Sequence, residues 1–234
     1  MKQTLIYVTI LGLCLSLTFP GTTVHAQTFR KGFTSSRLDA SLKKRITGTS
    51  YPSKRTKAAI SYDDLRYLHV LYVDFQGKTQ TGELIVNKKI ASKTLKIFYQ
   101  LYQMGYPIQR MSLVDDYNGK DEASMSANNT SAFNYRLVTG SSRLSKHGQG
   151  LAIDINPRIN PCISYRNGKV SLIEPSNGRA YIQRSKKKCK GIYARYMIHK
   201  NDKVYKLFKK YGFSWGGDWN SKKDYQHFEY TGNQ

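Results

Sequence analysis

Residues 68–75 (LHVLYVDF) and 81–86 (TGELIV) are rich in strand-forming side chains and flank a Gly77-Lys78 turn, which predicts a β-hairpin. The period then changes. Leu95, Phe98, Leu101 and Tyr102 follow helical spacing, with Ser92 as a candidate cap and Gly105 and Pro107 as stops. Over residues 150–156 alternation returns. Leu151, Ile153 and Ile155 face one way and Ala152 and Asp154 the other, until Pro157 and Pro161 end the strand. Asp202 caps a second helix whose stripe is Val204, Leu207, Phe208 and Tyr211, with Gly212 as its stop. A last strand, residues 227–230, puts His227 and Glu229 on one face and Phe228 and Tyr230 on the other. Hairpins with separate helices predict an α+β fold with an antiparallel sheet.

Between these elements the pattern weakens. Residues 27–62 are expected to form a basic, loosely held arm. Its first 34 residues hold nine Lys/Arg against one acid, Asp39, and show little apolar periodicity. Residues 117–142 are polar and irregular, and are expected to form an exposed, Asn-rich loop serving as a substrate-binding wall that includes Asn134. Residues 158–200 form a basic insertion of short mixed elements. At the start of the chain, Lys2, the apolar run 5–17 and Val24-His25-Ala26 have the layout of a signal peptide, 1–26, cleaved before Gln27. Lipidation at Cys14 is the rival reading, and the bulky Leu13 argues against it. The expected product is an exported protein, periplasmic or extracellular, whose ordered domain spans 63–234.

The formal charge is +23, falling to +22 once Lys2 leaves with the signal (23 − 1 = 22). Such an excess predicts an anionic partner. For an exported protein that means anionic cell-wall polymer or an acidic membrane surface. No nucleic-acid-reading motif is visible, so no nucleic acid is expected. Export also leaves two cysteines, Cys162 and Cys189, and an oxidising compartment predicts a disulfide between them.

Two motifs carry the chemistry. Ser145-x-His147-x-x-Gly150-x-Ala152-x-Asp154 fixes five residue types and would arise by chance at roughly one start position in two million. The second motif is Asp224-x-x-His227. Seven residues between His147 and Asp154 exceed one helical turn. A glycine-bearing loop folded back over a strand, with Gly148 and Gly150 permitting the tight backbone, brings them to one face. His147, Asp154 and His227 are then three ligands for one zinc ion, with a position left open for water. Asp224 is the candidate base; the alternative is an Asp that orients a ligand histidine. Ser145 is a candidate substrate donor or a loop cap. Trp215 and Trp219 either pack under the site or line its cleft, and Asp218 and Glu229 are candidate supports for the ligands. Arg136 is a candidate for holding the anion formed at an attacked carbonyl.

Together with Trp215-Gly-Gly-Asp218-Trp219, these motifs resemble the VanY/VanX-type zinc D-alanyl-D-alanine carboxypeptidases, nearest the branch with L-alanyl-D-glutamate endopeptidases. The likeness spans about residues 63–230. It implies the small α+β fold shared with hedgehog signalling domains, zinc on His147, Asp154 and His227, Asp224 as the base, and Arg136 as the transition-state arginine. The expected partners are peptidoglycan stem peptides. The alternative is a non-catalytic, zinc-stabilised wall- or polyanion-binding module, which has no need of Asp224.

Overall fold

The computed structural model describes residues 27–54, 58–185 and 187–232, so the expected signal peptide lies outside the described residues. Among the described residues twelve strands occur in chain order: β1 Gln27–Arg30, β2 Phe33–Ser36, β3 Leu65–Val73, β4 Thr79–Asn87, β5 Arg110–Met111, β6 Asn129–Thr130, β7 Ala152–Asp154, β8 Cys162–Arg166, β9 Lys169–Glu174, β10 Phe213–Trp215, β11 Lys222–Asp224 and β12 His227–Tyr230. The α-helices are α1 Ala40–Ile46, α2 Lys88–Gln103, α3 Asp121–Ser126 and α4 Lys203–Lys210. The arrangement is mixed α and β, and its three larger sheets, β1-β2-β3-β4, β10-β12-β7 and β11-β8-β9, are all antiparallel.

The hairpin expected near Gly77 is β3–β4, in register from Leu65↔Asn87 to Val73↔Thr79. Leu68, Val70 and Tyr72 point from β3 into the main core, where they meet Leu95, Phe98 and Leu101 of α2. That core continues through Ile153 to Phe208, Phe213 and Phe228, so one apolar mass supports both the large sheet and β10-β12-β7. The second helix is α4, capped by Asp202, whose Oδ1 accepts from Tyr205 N at 2.7 Å. The first begins earlier than expected. Asn87 ends β4 and also caps α2, accepting from Lys89 N at 3.1 Å, so strand runs into helix with no loop. Ser92 is an interior helix residue, because the lysines at 88 and 89 hide where the apolar stripe starts.

Three expectations are corrected. The described residues of 27–62 are not a loose arm. Phe33 is buried in the main core, with its ring edge-on to Tyr99 at 5.3 Å, while Leu38, Ile46 and Tyr51 join Leu65, Ile85 and Phe133 in a second core. Arg45 forks onto both oxygens of Glu83 at 3.2 and 3.0 Å. Each apolar residue there comes from a different short element, so no single period betrays them. The Asn-rich run is not exposed either: Asn128, Asn129 and Thr130 are fully buried. Asn128 Oδ1 accepts from Arg158 N at 2.8 Å and Asn129 Oδ1 from Ser112 N at 2.8 Å, so amide side chains satisfy backbone that no sheet pairs. Lastly, the 158–200 segment is more than an insertion. Its β8–β9 hairpin turns at Asn167-Gly168, both at positive φ (50° and 72°), and pairs with β11 beside the second motif.

Candidate metal centre and cleft

Strand pairing brings the two motifs together. In the β12–β7 register His227 lies directly opposite Asp154. On its other side Asp154 exchanges backbone hydrogen bonds with Ser131, at 2.9 and 3.1 Å. His147 stands on the turn before β7. Gly150 closes that turn at φ +67°, and a Cβ there would come within 2.7 Å of Asn87 N, so α2's cap and the metal motif pack backbone to backbone. Gly216 plays the matching part for the second motif: a side chain there would strike the Asp224 carbonyl at 2.6 Å.

Three donor atoms result. His147 Nε2, His227 Nδ1 and Asp154 Oδ1 are separated by 3.1, 3.2 and 3.3 Å, and all three residues are buried. Three donors on a tetrahedral ion at bond lengths of about 2.0–2.2 Å stand about 3.3 Å apart. The triangle already has the size of a metal site. The outer nitrogens are committed elsewhere: His147 Nδ1 donates to the Ala132 carbonyl at 2.6 Å and His227 Nε2 to Glu229 Oε2 at 3.2 Å. In the neutral rings those bonds place the proton on the outer nitrogen and leave the inner lone pair for an ion. His147, Asp154 and His227 therefore form a group able to hold a metal ion.

Residues 139–230 match the family model of D-alanyl-D-alanine carboxypeptidases. No curated protein and no solved structure matches the chain. The matched segment contains the three donors and Asp224 but stops short of Arg136 and of the large sheet, and it supports kinship with these peptidases broadly.

The surroundings set the electrostatics. Burial would raise Asp154, but His147 and His227 outweigh it and hold the carboxyl well below its usual range. Burial also works against a charged His227, yet hydrogen bonds to Asp154 and Glu229 push its imidazole up to about 10. The metal-free centre is thus a proton-binding site at neutral pH. Its contribution to stability is complete below about 6.5, the ordinary value, and is lost as pH rises through about 10. An ion taking Nδ1 must displace that proton. Zinc titrated into the metal-free chain at pH 7 is expected to release about one proton, with apparent affinity rising about tenfold per pH unit until about pH 10. Calorimetry in buffers of different protonation enthalpy reads this directly, and buffer-independent heats would contradict it.

Asp224 ends β11, where its rung continues across Cys162 of β8 to Glu174 of β9. Its Oδ1 is buried and has no hydrogen-bond partner among the described residues. Burial, reinforced by Asp154, raises its carboxyl despite the opposing His227 and Lys222. Asp224, His147 and His227 line one cleft of about 1040 Å³, together with Arg136, Glu174 and Trp219.

Other expected site residues are placed less simply. Arg136 lines the cleft in an ion pair with Asp121. Ser145 also lines it, but its Oγ accepts from Gly148 N at 2.9 Å and so braces the turn. Asn134 does not line the cleft: it is buried and donates to Gly119 O at 3.1 Å and Asp121 Oδ1 at 2.7 Å, steadying the acid that holds Arg136. Trp215 does not line it either. Its ring is buried and its Nε1 donates to Tyr225 O at 2.9 Å, whereas Trp219 forms the wall, 5.2 Å from the His227 ring. Asp218 accepts from Tyr205 OH at 3.1 Å, away from the donors. The expected disulfide is absent. Cys162 lies buried in the cleft wall, while Cys189 packs with Tyr181 and Met197 and donates to Ala180 O at 3.3 Å, so the two thiols serve different surfaces. Asp121 and Glu174 were invisible in the sequence, since neither stands at a recognisable spacing from a motif residue.

Proposed function

We propose that the chain is an exported zinc peptidase hydrolysing peptide bonds of peptidoglycan stem peptides, of the D-alanyl-D-alanine carboxypeptidase or L-alanyl-D-glutamate endopeptidase type. One observation carries this reading. An unpartnered, buried carboxyl oxygen, Asp224 Oδ1, shares a cleft with three donors spaced for a single ion. A protein that only bound zinc would need no such group. Zinc held by His147, Asp154 and His227 supplies Lewis acidity to a substrate carbonyl and to water near neutral pH.

The chain's own groups perform the rest. Asp224, ionised above its raised pKa, takes a proton from the attacking water and delivers it to the leaving amine. Arg136, held by Asp121 and through it by Asn134, offers its guanidinium to the anion forming on the carbonyl oxygen. Glu229 and the Ala132 carbonyl keep the imidazoles from turning. At about 1040 Å³ the cleft has room for several residues of a peptide. The basic surface favours retention on anionic wall material, and residues 1–26 carry the export signal.

The direct test is digestion of defined muropeptides by the zinc-loaded chain, with products read by mass spectrometry. Loss of terminal D-alanine or a cut between L-alanine and D-glutamate is expected, abolished by chelation and restored by zinc. Intact substrate in the presence of one bound zinc would leave the binding module as the better reading.

A further inference from the structure

The charge of this protein is unevenly spread. Six of its 15 acids, Asp121, Glu122, Asp154, Glu174, Asp224 and Glu229, line the cleft. Helices α2 and α4, by contrast, contain eight lysines and no acid at all. On α2, Lys89, Lys93 and Lys96 recur at four- and three-residue spacing, and on α4, Lys203, Lys206 and Lys210 recur at three and four, so each set forms one stripe. Gln100 Nε2, in the last turn of α2, donates to Tyr211 OH at 2.8 Å and to Lys96 O at 3.2 Å, so the two lysine-bearing helices meet at their C-terminal ends. The α2 end of this face adjoins the cleft, because Asn87 Nδ2 donates to the carbonyl of cleft-lining Gln149 at 3.1 Å.

Lys209 and Lys210 suit the C-terminal turn of α4, but others of these lysines are placed against the helix that carries them. Lys88, Lys89 and Lys203 sit in first turns, at the positive ends of the helix dipoles, and neither first turn contains an acidic residue of its own. Lys89–Lys93 and Lys206–Lys210 are like charges one turn apart, a repulsive arrangement. Of the α2 lysines, Lys88 is engaged by Asp64 at 2.8 Å, and Lys93 lies over the Tyr230 ring at 5.6 Å. A face with this density of like charge and no acid on either helix suits an anionic partner.

We propose that the joined lysine stripes of α2 and α4 are a docking surface for a linear phosphodiester polymer of the cell wall, held alongside the cleft. The choice of a wall polymer rests on the export reading; the choice of a linear phosphate polymer rests on the face itself. Neighbouring lysines about 5–6 Å apart suit a chain of evenly spaced charges. Lipid docking needs apolar side chains among the cations. Of the large exposed apolar side chains among the described residues, only Met104 adjoins these helices; Leu137, Val138, Tyr165, Val170, Leu172 and Ile192 lie elsewhere. Nor do exposed aromatic rings punctuate the stripes to stack nucleobases. All eight cations are lysines, point charges suited to phosphate rather than forks that read base edges.

The test compares the full chain with Lys89→Gln/Lys93→Gln/Lys96→Gln and with a control removing three exposed lysines from other faces, Lys44→Gln/Lys169→Gln/Lys188→Gln. The probe is poly(glycerol phosphate) of defined length, bound over a salt series. The α2 variant is expected to bind about tenfold more weakly at 0.15 M salt, with the slope of log K against log salt reduced by roughly two, while the control changes less than about twofold. Cleavage of a small soluble muropeptide should be equal in all three proteins, which separates failure of this surface from failure of the peptidase reading. Equal losses in the control would overturn the proposal, because total charge would then suffice. So would tenfold tighter binding of single-stranded DNA of matched charge, or of phosphatidylglycerol vesicles, by the same lysines.

Discussion

Asp224→Ala should keep one zinc per chain and lose about 10²–10⁴-fold in kcat, the usual contribution of a positioned general base. Zinc is retained because the three donors are His147, Asp154 and His227, and Asp224 is not among them. The change orphans no partner of Asp224 Oδ1, which has none among the described residues. The wild-type pH profile carries the matching sign. Burial raises the Asp224 carboxyl, and only its ionised form accepts a proton. The acid limb of kcat/KM is therefore expected to report ionisation of this carboxyl. That limb should vanish in the variant. A variant within tenfold of wild type would assign Asp224 to orienting its neighbours and not to proton transfer.

Arg184→Ala should produce a large loss of stability for a single polar change outside the metal centre. Nη1 donates to Ile159 O at 2.8 Å and Tyr181 O at 3.3 Å, and Nη2 to Asn160 Oδ1 and Ile198 O, each at 3.0 Å. The guanidinium also lies 4.3 Å from the Tyr225 ring centroid, next to Asp224. Burial without a carboxylate partner lowers its pKa to about 10, so at neutral pH it is a charged group satisfied by carbonyls and an aromatic face. Truncation leaves several buried acceptors unpaired, at about 1–3 kcal/mol each. A total of roughly 3 kcal/mol or more follows, equivalent to a fall of about 6–12 °C in Tm for a domain of this size. Lysine should not rescue, because one ammonium cannot span four acceptors set for a planar fork. Thermal unfolding of the zinc-loaded proteins checks both; a Tm within 2 °C of wild type for Arg184→Ala would mean the carbonyls find other partners.

What could be read from the sequence alone was what lies within a single element or a short motif. The β3–β4 hairpin, the α4 stripe with its Asp202 cap, and the shared face of His227 and Glu229 depend on neighbours two to four residues apart, which side-chain periodicity records. The donor set was legible because His147 and Asp154 stand seven residues apart around one turn. Strand register alone makes His227 their third member, pairing it with a residue 73 positions away. Tertiary structure decided everything that depends on contacts between distant elements. Phe33, Leu38 and Ile46 look like isolated apolar residues in a basic tail until separate short elements carry them into two cores. Asn134 and Trp215 carry groups suited to substrate, yet packing turns both toward their own backbone, and Asp121 and Trp219 take the places at the cleft. Cys162 and Cys189 satisfied a compartment rule that says nothing of direction, and the β8–β9 hairpin commits one to the cleft and leaves the other elsewhere. Local pattern encodes which face a side chain takes; only the folded chain determines what stands opposite it.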